Sequence, residues 1–287
     1  RGETPSSILD GFTITNANSD EDGGAIYCEN SSATIKNCIL IGNSSSGGGA
    51  MECYNSQNLQ LINCLIAENY GAYFGGGIVI GESTVTLLNC TIVNNQTDPY
   101  GVGGGIYNYE SVVNLINCIV WDNTPDEIFD DSTTPVEASY SDIKGSSTLP
   151  GAGNINSDPK FASESIYSYY LSHSDLQGVQ SPCVNTGSDS AANLGLDQMT
   201  TRTDQGYDTG IVDMGFHYPP EIPVKITSIT INGNDITIEW NAQPEVSYTV
   251  QWSTDMLLWH DVPVGETGTW TDTNASGFIF KLYRVVE

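Results

Sequence analysis

The chain is predicted to be all-β, a parallel β-helix solenoid over most of its length followed by a small β-sandwich. Three observations predict this. One unit is written four times between Gly23 and Asn123, as GGAIYCENSSATIKNCILIGN, GGAMECYNSQNLQLINCLIAEN, GGIVIGESTVTLLNCTIVNN and GGIYNYESVVNLINCIVWDN. Each unit holds short Val-, Ile- and Leu-rich segments bounded by Gly, Asn and Ser, and none has the run of helix-periodic residues a helix needs. Beyond Pro223 the pattern becomes alternating strands at short spacing, ITSITI, DITIEW, SYTVQWS and FIFKLYRVV.

Taken in order, residues 8 to 22 (ILDGFTITNANSDED) read as a partial first coil, with Asn16 fitting the repeat only if the corner gains or loses a residue. In the repeats the Asn-Cys pairs at 37/38, 63/64, 89/90 and 117/118 are spaced 26, 26 and 28 residues. A fixed period of this size means stacked structural units. Equivalent residues of successive coils then sit about 4.8 Å apart, the spacing of paired strands. Leu59 with Leu61, Val85 with Leu87, and Val113 with Leu115 are the expected inward residues of one sheet. Cys64 with Ile66, Cys90 with Ile92, and Cys118 with Val120 follow on the next.

A second Asn follows each pair, at Asn43, Asn69, Asn95 and Asn123. Stacked in register, these four form an expected amide ladder that satisfies polar groups burial would otherwise penalise. Glycine pairs at 23/24, 48/49, 76/77 and 104/105 supply tight corners. The fourfold recurrence, with no helix following, argues against a phosphate-binding role for GVGGGI at 101 to 106. After Asn123, VEASYSDIKG at 136 to 145 reads as a further coil, and residues 153 to 187 are turn-rich.

The succession DGFTIT, repeated GG(A/G)I…NC, YSDIKG, GNINSDPKF, SPCVNTG and VDMGFHY resembles a family of secreted bacterial right-handed parallel β-helix proteins of the pectin-lyase-like fold. The resemblance spans residues 8 to 218 and implies a right-handed solenoid in a surface or extracellular protein. This chain departs from the family pattern with Asn185 in the SPC segment, where relatives commonly carry Asp, and with FHY in place of AYEY. The expected domains are 1–218, the solenoid with its turn-rich C-terminal segment, a Pro-rich linker at 219–223, and a sandwich at 224–287. The last resembles fibronectin type III-like modules of secreted bacterial proteins. Four of the five tryptophans lie there, at 240, 252, 259 and 270, as core residues or as an exposed pair suited to sugar.

Composition narrows the function. Eight Lys and Arg stand against 35 Asp and Glu, a formal charge of -27. Such a field repels nucleic acid and anionic membranes and favours cations. No stretch reaches the length of a membrane span, so membrane insertion is not expected. Seven cysteines leave at least one unpaired, and the register of the repeats favours buried thiols, with Cys28 and Cys53 the best-placed pair for any bridge.

The candidate site residues fall into three groups. Two long corners, 68 to 75 and 94 to 103, bring Tyr70, Tyr73, Phe74 and Tyr100 to one edge, as a sugar platform or as loops packing on themselves. Glu29, Glu82 and Glu110 each fall five residues after their glycine pair. Glu82 and Glu110, one rung apart, match a retaining glycosidase pair, a cation site or two solvated turn residues. Asp20 and Asp22, and Asp204, Asp208 and Asp213, offer dense oxygen ligands that suit structural Ca²⁺ or cap their own turns.

A polysaccharide lyase needs a cation and a base near a uronate, yet residues 8 to 145 contain only Lys36 and Lys144 as cations and no His. His173, His217 and His260 stand outside the repeats with no nucleophile arrangement around them. The sequence therefore predicts a non-enzymatic extracellular or cell-surface structural or adhesive protein of bacterial origin, carbohydrate-binding and calcium-stabilised. The alternative is a polysaccharide-active lyase or glycoside hydrolase. A start at Arg1 that moves quickly into a coil leads to the expectation that earlier residues were removed or lie outside this sequence. If Arg1 is instead the mature start, the exposed coil end predicts head-to-tail self-association into filaments.

Overall fold

The computed structural model describes residues 2–4, 6–145, 149–162, 169–220, 226–232, 235–240, 248–254, 260–265, 267–273 and 282–286. Arg1, linker residues 221–223, Trp259, residues 278–281 and the side chain of Trp252 lie outside the described residues. The chain divides into two compact units, residues 1–220 and 221–287.

In the first unit the repeat becomes a parallel β-solenoid. Two six-stranded sheets run along its axis, one through Ile8–Asp10, Thr34–Lys36, Leu59–Ile62, Thr84–Leu88, Val112–Ile116 and Glu137–Ser139. The other passes through Thr13–Thr15, Ile39–Ile41, Leu65–Ala67, Thr91–Val93, Ile119–Trp121 and Asp142–Ile143. A five-stranded sheet takes Ile26–Glu29, Met51–Tyr54, Ile78–Gly81, Ile106–Tyr109 and Ile128–Asp131, and a three-stranded one Ser44–Gly47, Tyr70–Phe74 and Gln96–Thr97. Leu61 pairs with Leu87 and Leu87 with Leu115, so like side chains stack on like. Leu59, Leu61, Val85, Leu87, Val113 and Leu115 are each at most 1 % exposed. Burial on that scale is worth about 1.5–3 kcal/mol per large side chain.

The corners explain the polar half of the repeat. Asn37, Asn63, Asn89 and Asn117 have φ of 52°, 50°, 51° and 55°. Among residues with a Cβ, Asn tolerates that left-handed region best. At a later corner the amides of Asn43, Asn69 and Asn95 each donate from backbone N to the Oδ1 of Asn69, Asn95 and Asn123, at 2.9, 3.0 and 3.0 Å. Their Nδ2 groups donate to the same oxygens at 3.1, 2.8 and 2.9 Å. Ala17, rather than Asn16, occupies the first place in this row, since its N–H donates to Asn43 Oδ1. Asn16 is the left-handed corner residue before it, equivalent to Gly42. A third row joins Ser31, Ser56, Ser83 and Ser111 through N–H to Oγ bonds of 3.1, 2.9 and 2.8 Å.

The glycine register is shifted by one residue from the sequence expectation. Gly49 N–H donates to Gly75 O and Gly76 N–H to Gly103 O. The equivalent glycines are therefore 23, 48, 75 and 103, all with positive φ, followed by 24, 49, 76 and 104. A Cβ on Gly24 would collide with the Gly49 carbonyl, and one on Gly49 with that of Gly76. As a result Glu29 aligns with Tyr54, Gly81 and Tyr109, not with Glu82 and Glu110.

Over Leu65–Ala67, Thr91–Val93 and Ile119–Trp121 one six-stranded sheet is covered on both faces, which is why these strands read LIA, TIV and IVW instead of alternating. Its outer side is covered by the segment 169–218: Tyr169 and Phe216 pack on Leu65, Ala67 and Val93, and Leu171, Cys183 and Met214 on Ile119. This segment is tied along the Asn-Cys corners. Gly215 N–H donates to Asn117 O at 2.7 Å, Phe216 N–H to Thr91 Oγ1 at 2.9 Å and His217 N–H to Asn63 Oδ1 at 2.7 Å. All seven cysteines are free and buried, Cys28 and Cys53 included.

The second unit contains two antiparallel three-stranded sheets. Ile238 and Trp240 from one pack with Tyr248 and Val250 from the other, with Trp270 partly buried against them. Trp240 and Trp270 are thus core residues of this unit.

Candidate functional site

The long corners place the predicted aromatics on one edge. Tyr70 pairs with Gln96 across the three-stranded sheet, and Phe74 bridges to Val102. The Tyr70 hydroxyl donates to Asp98 at 2.6 Å, which raises its pKa. Tyr73 is 62 % exposed and Tyr100 fully exposed. Phe74 does not stand beside them as a free ring. It turns onto the neighbouring five-stranded sheet and packs on Tyr107 with centroids 4.9 Å apart.

That sheet carries residues the sequence reading missed. Its outward row is Tyr27, Glu52, Val79, Tyr107 and Phe129, and the next is Glu29, Tyr54, Gly81, Tyr109 and Asp131. Tyr107 stacks on Phe129 at 5.8 Å, extending the ridge begun by Phe74. Tyr54 crosses Gly81, whose missing Cβ leaves room for its ring, and donates to Glu82. Glu82 and Glu110 follow the strand ends on successive coils, at φ of 48° and 46°, and both are exposed. Glu52 is half-buried, and burial together with the Asp22 carboxylate pushes its pKa up to about 7. Burial, followed by the charge of Asp131, raises the Tyr107 hydroxyl.

The acidic candidates are not gathered into one place. Asp20 and Asp22 lie exposed at the first coil's corner, where the Asp20 carbonyl accepts from Ser46 Oγ at 2.9 Å. Asp204 is bound by Arg202 through Nε at 2.8 Å and Nη2 at 2.9 Å, which holds its pKa down at about 2. Asp208 and Asp213 are buried in the 169–218 segment. Asp208 Oδ2 meets His217 Nε2 at 2.8 Å and accepts the Asp213 N–H at 2.9 Å. Asp213 accepts from Asn185 N–H at 2.7 Å and from the Thr201 hydroxyl. Burial and the Asp208 charge push its pKa up to about 6.

His217 Nδ1 lies 3.0 Å from the Gly215 carbonyl, which can only accept, so this nitrogen carries a proton. His173, lowered by burial and by Arg202, completes the cluster beside a cavity of about 100 Å³. These groups bond one another and fasten the segment. Among the described residues, no group of three or more His, Cys, Asp or Glu is placed to hold a metal ion. No helix among them is long and apolar enough to cross a membrane.

The signal for the aromatic sheet face was present as Tyr54, Tyr107, Tyr109 and Phe129. Reading it required knowing which side of the strand after each glycine pair faces in, and periodicity left that undecided. Residues 4–155 match the family described as "Right handed beta helix region". No curated protein matches the chain.

Proposed function

The chain belongs to the right-handed β-helix family, which accommodates structural and carbohydrate-binding proteins as well as polysaccharide-cleaving enzymes, and from that premise we propose a non-enzymatic, carbohydrate-binding extracellular protein. The observation that carries this reading is the aromatic surface. Tyr73, Phe74 and Tyr100 at one corner continue into Tyr107 and Phe129 on the adjoining sheet face. Exposed aromatic rings interleaved with hydrogen-bonding groups suit a ligand that is apolar on its ring faces and polar at its rim. A secreted or cell-surface location in a bacterium, a fibronectin type III-like second unit, calcium stabilisation and filament formation belong to the same proposal.

The alternative, a polysaccharide-active enzyme, draws on one feature: Glu82, fixed by Tyr54, borders that face. A screen of neutral, acidic and basic polysaccharides for binding and for product release separates the two. Binding that is lost in Tyr107→Ala, without released sugar, supports the binding protein. Shortened or unsaturated products lost in Glu82→Gln would replace it with the enzyme. Thermal unfolding with Ca²⁺ and with chelator tests the metal, and light scattering on protein of verified intact mass tests assembly.

A further inference from the structure

We propose that the ligand of the aromatic face is a polymer of amino sugar whose amines are free and therefore cationic. This rests on the carbohydrate-binding reading above and adds the charge of the ligand to it.

The face is bordered by exposed carboxylates on both sides. Asp98, held by the Tyr70 hydroxyl, lies on the long corner that leads into the five-stranded sheet. Glu82, held by Tyr54, and Asp131, in register with Tyr109's row, stand where its strands end. Glu82 follows Gly81, and the row runs Gly81, Tyr109, Asp131, so these two carboxylates sit two rungs apart along the axis, roughly 10 Å. Among the described residues of this face there is no Lys, Arg or His. Lys36 is paired with Asp10 at 3.1 Å and Lys144 with Asp122 at 2.6 Å, both elsewhere on the solenoid.

These charges discriminate among sugars. A polyuronate meets carboxylates of its own sign in a chain whose formal charge is already -27. A neutral sugar gains the aromatic contact and can donate its hydroxyls to the carboxylates, but it neutralises none of their charge and gains nothing from the field. An ammonium on the sugar makes each carboxylate a charge-assisted acceptor and is drawn to the face by the whole field. A basic peptide would satisfy the carboxylates as well, but it leaves the exposed rings of Tyr73 and Tyr100 without a matching ring-shaped surface. The aromatic and acidic features together select the cationic sugar.

The test is calorimetric titration of the full chain, at mildly acidic pH where the sugar amine is protonated, with four probes. These are a fully deacetylated glucosamine hexamer, its fully N-acetylated counterpart, an oligogalacturonate and an oligolysine. The expected result is binding of the deacetylated hexamer alone, weakening by about tenfold or more between low and high salt. Asp98→Asn with Asp131→Asn should weaken it by about tenfold, and Tyr73→Ala with Tyr100→Ala by a similar factor, with unfolding temperatures unchanged.

Equal or tighter binding of the acetylated hexamer, lost in the tyrosine variant, would overturn the cationic assignment and leave the carbohydrate-binding reading standing. Tighter binding of the oligogalacturonate would do the same. Oligolysine binding as tightly as the amino sugar, and insensitive to the tyrosine variant, would make the face a peptide site. Failure of all three sugars to bind would overturn both readings.

Discussion

The main-chain N–H of His217 donates to Asn63 Oδ1 at 2.7 Å, and Asn63 Nδ2 returns a bond to the His217 carbonyl at 2.9 Å. The two residues are 154 positions apart in sequence. This reciprocal pair mimics one rung of β-sheet pairing with a side-chain amide, and it anchors the 169–218 segment to the solenoid. Asn63→Ala should therefore cost about 2–3 kcal/mol, since it strands two buried backbone groups. Asn63→Gly keeps the left-handed corner and should lose nearly as much. Urea unfolding measures both, and a loss in the glycine variant close to zero would assign the asparagine to backbone conformation alone.

Position 95 is an internal place in the ladder, bonded on both sides. Its Oδ1 accepts from Asn69 N and Nδ2, and its Nδ2 donates to Ile66 O at 2.9 Å and to Asn123 Oδ1 at 2.9 Å. Asn95→Ala leaves several buried partners unsatisfied at once and should destabilise by about 3 kcal/mol or more. Asn43→Ala should cost less, because Ala17 already occupies the next place along the row. Equal losses at both positions would contradict this ordering.

Acid should strengthen the fastening of the 169–218 segment by protonating Asp213, whose charge the fold disfavours. Asp213 is pushed up to about 6 in the fold, against roughly 3.9 in an unfolded chain. Its folded pKa is the higher one, so its ionisation opposes folding, and stability falls as pH rises from about 4 to 6. Two pKa units correspond to about 3 kcal/mol at most, as an order of magnitude. Asp213→Asn should flatten the dependence of urea unfolding on pH in that window. An unchanged slope would show that another group carries it.

Glu52 gives a second window of the same sign, with a pKa of about 7 in the fold. Glu52→Gln removes a carboxylate that burial and Asp22 disfavour. The variant should match the parent in acid and unfold at a higher temperature above neutral pH. A variant that is no more stable above neutral pH would remove the desolvation argument.

Seven buried thiols should be silent in the native state. Alkylation of native protein should add no mass, and alkylation after denaturation without reductant should add seven groups. Five adducts would reveal a disulfide, with Cys28 and Cys53 first in line because they are direct register partners.

What was legible in the sequence was whatever repeats within one coil: the inward Leu59–Leu61 type of pair, the cysteine row, and the ladder from Asn43 to Asn123. These depend on contacts one period away, so the period displays them. The 169–218 clasp was not legible, because Asn63 and Asn89 differ from an ordinary corner asparagine only through partners far along the chain. The glycine register was misplaced because a run of three glycines offers two pairs, and only the paired backbone chooses between them. That one-residue slip also grouped Glu29 with Glu82 and Glu110, and it hid the outward row on which Tyr107 and Phe129 stand.

The ladder bonds all point the same way: each asparagine oxygen accepts from the coil before it. Every internal coil therefore offers one surface to its predecessor and the same surface's complement to its successor, as identical bricks do in a course. Leu65 is in register with Thr91, so removing residues 65–90 would set Thr91 directly after Cys64 with strands and ladder still continuous. For the strands and ladder this makes an in-frame gain or loss of one whole coil a gentler event than the loss of a single corner residue, while the 169–218 segment, bonded to Asn63, Thr91 and Asn117 in turn, must re-register with it. Solenoid length is thus a quantity that duplication can adjust without redesigning the core.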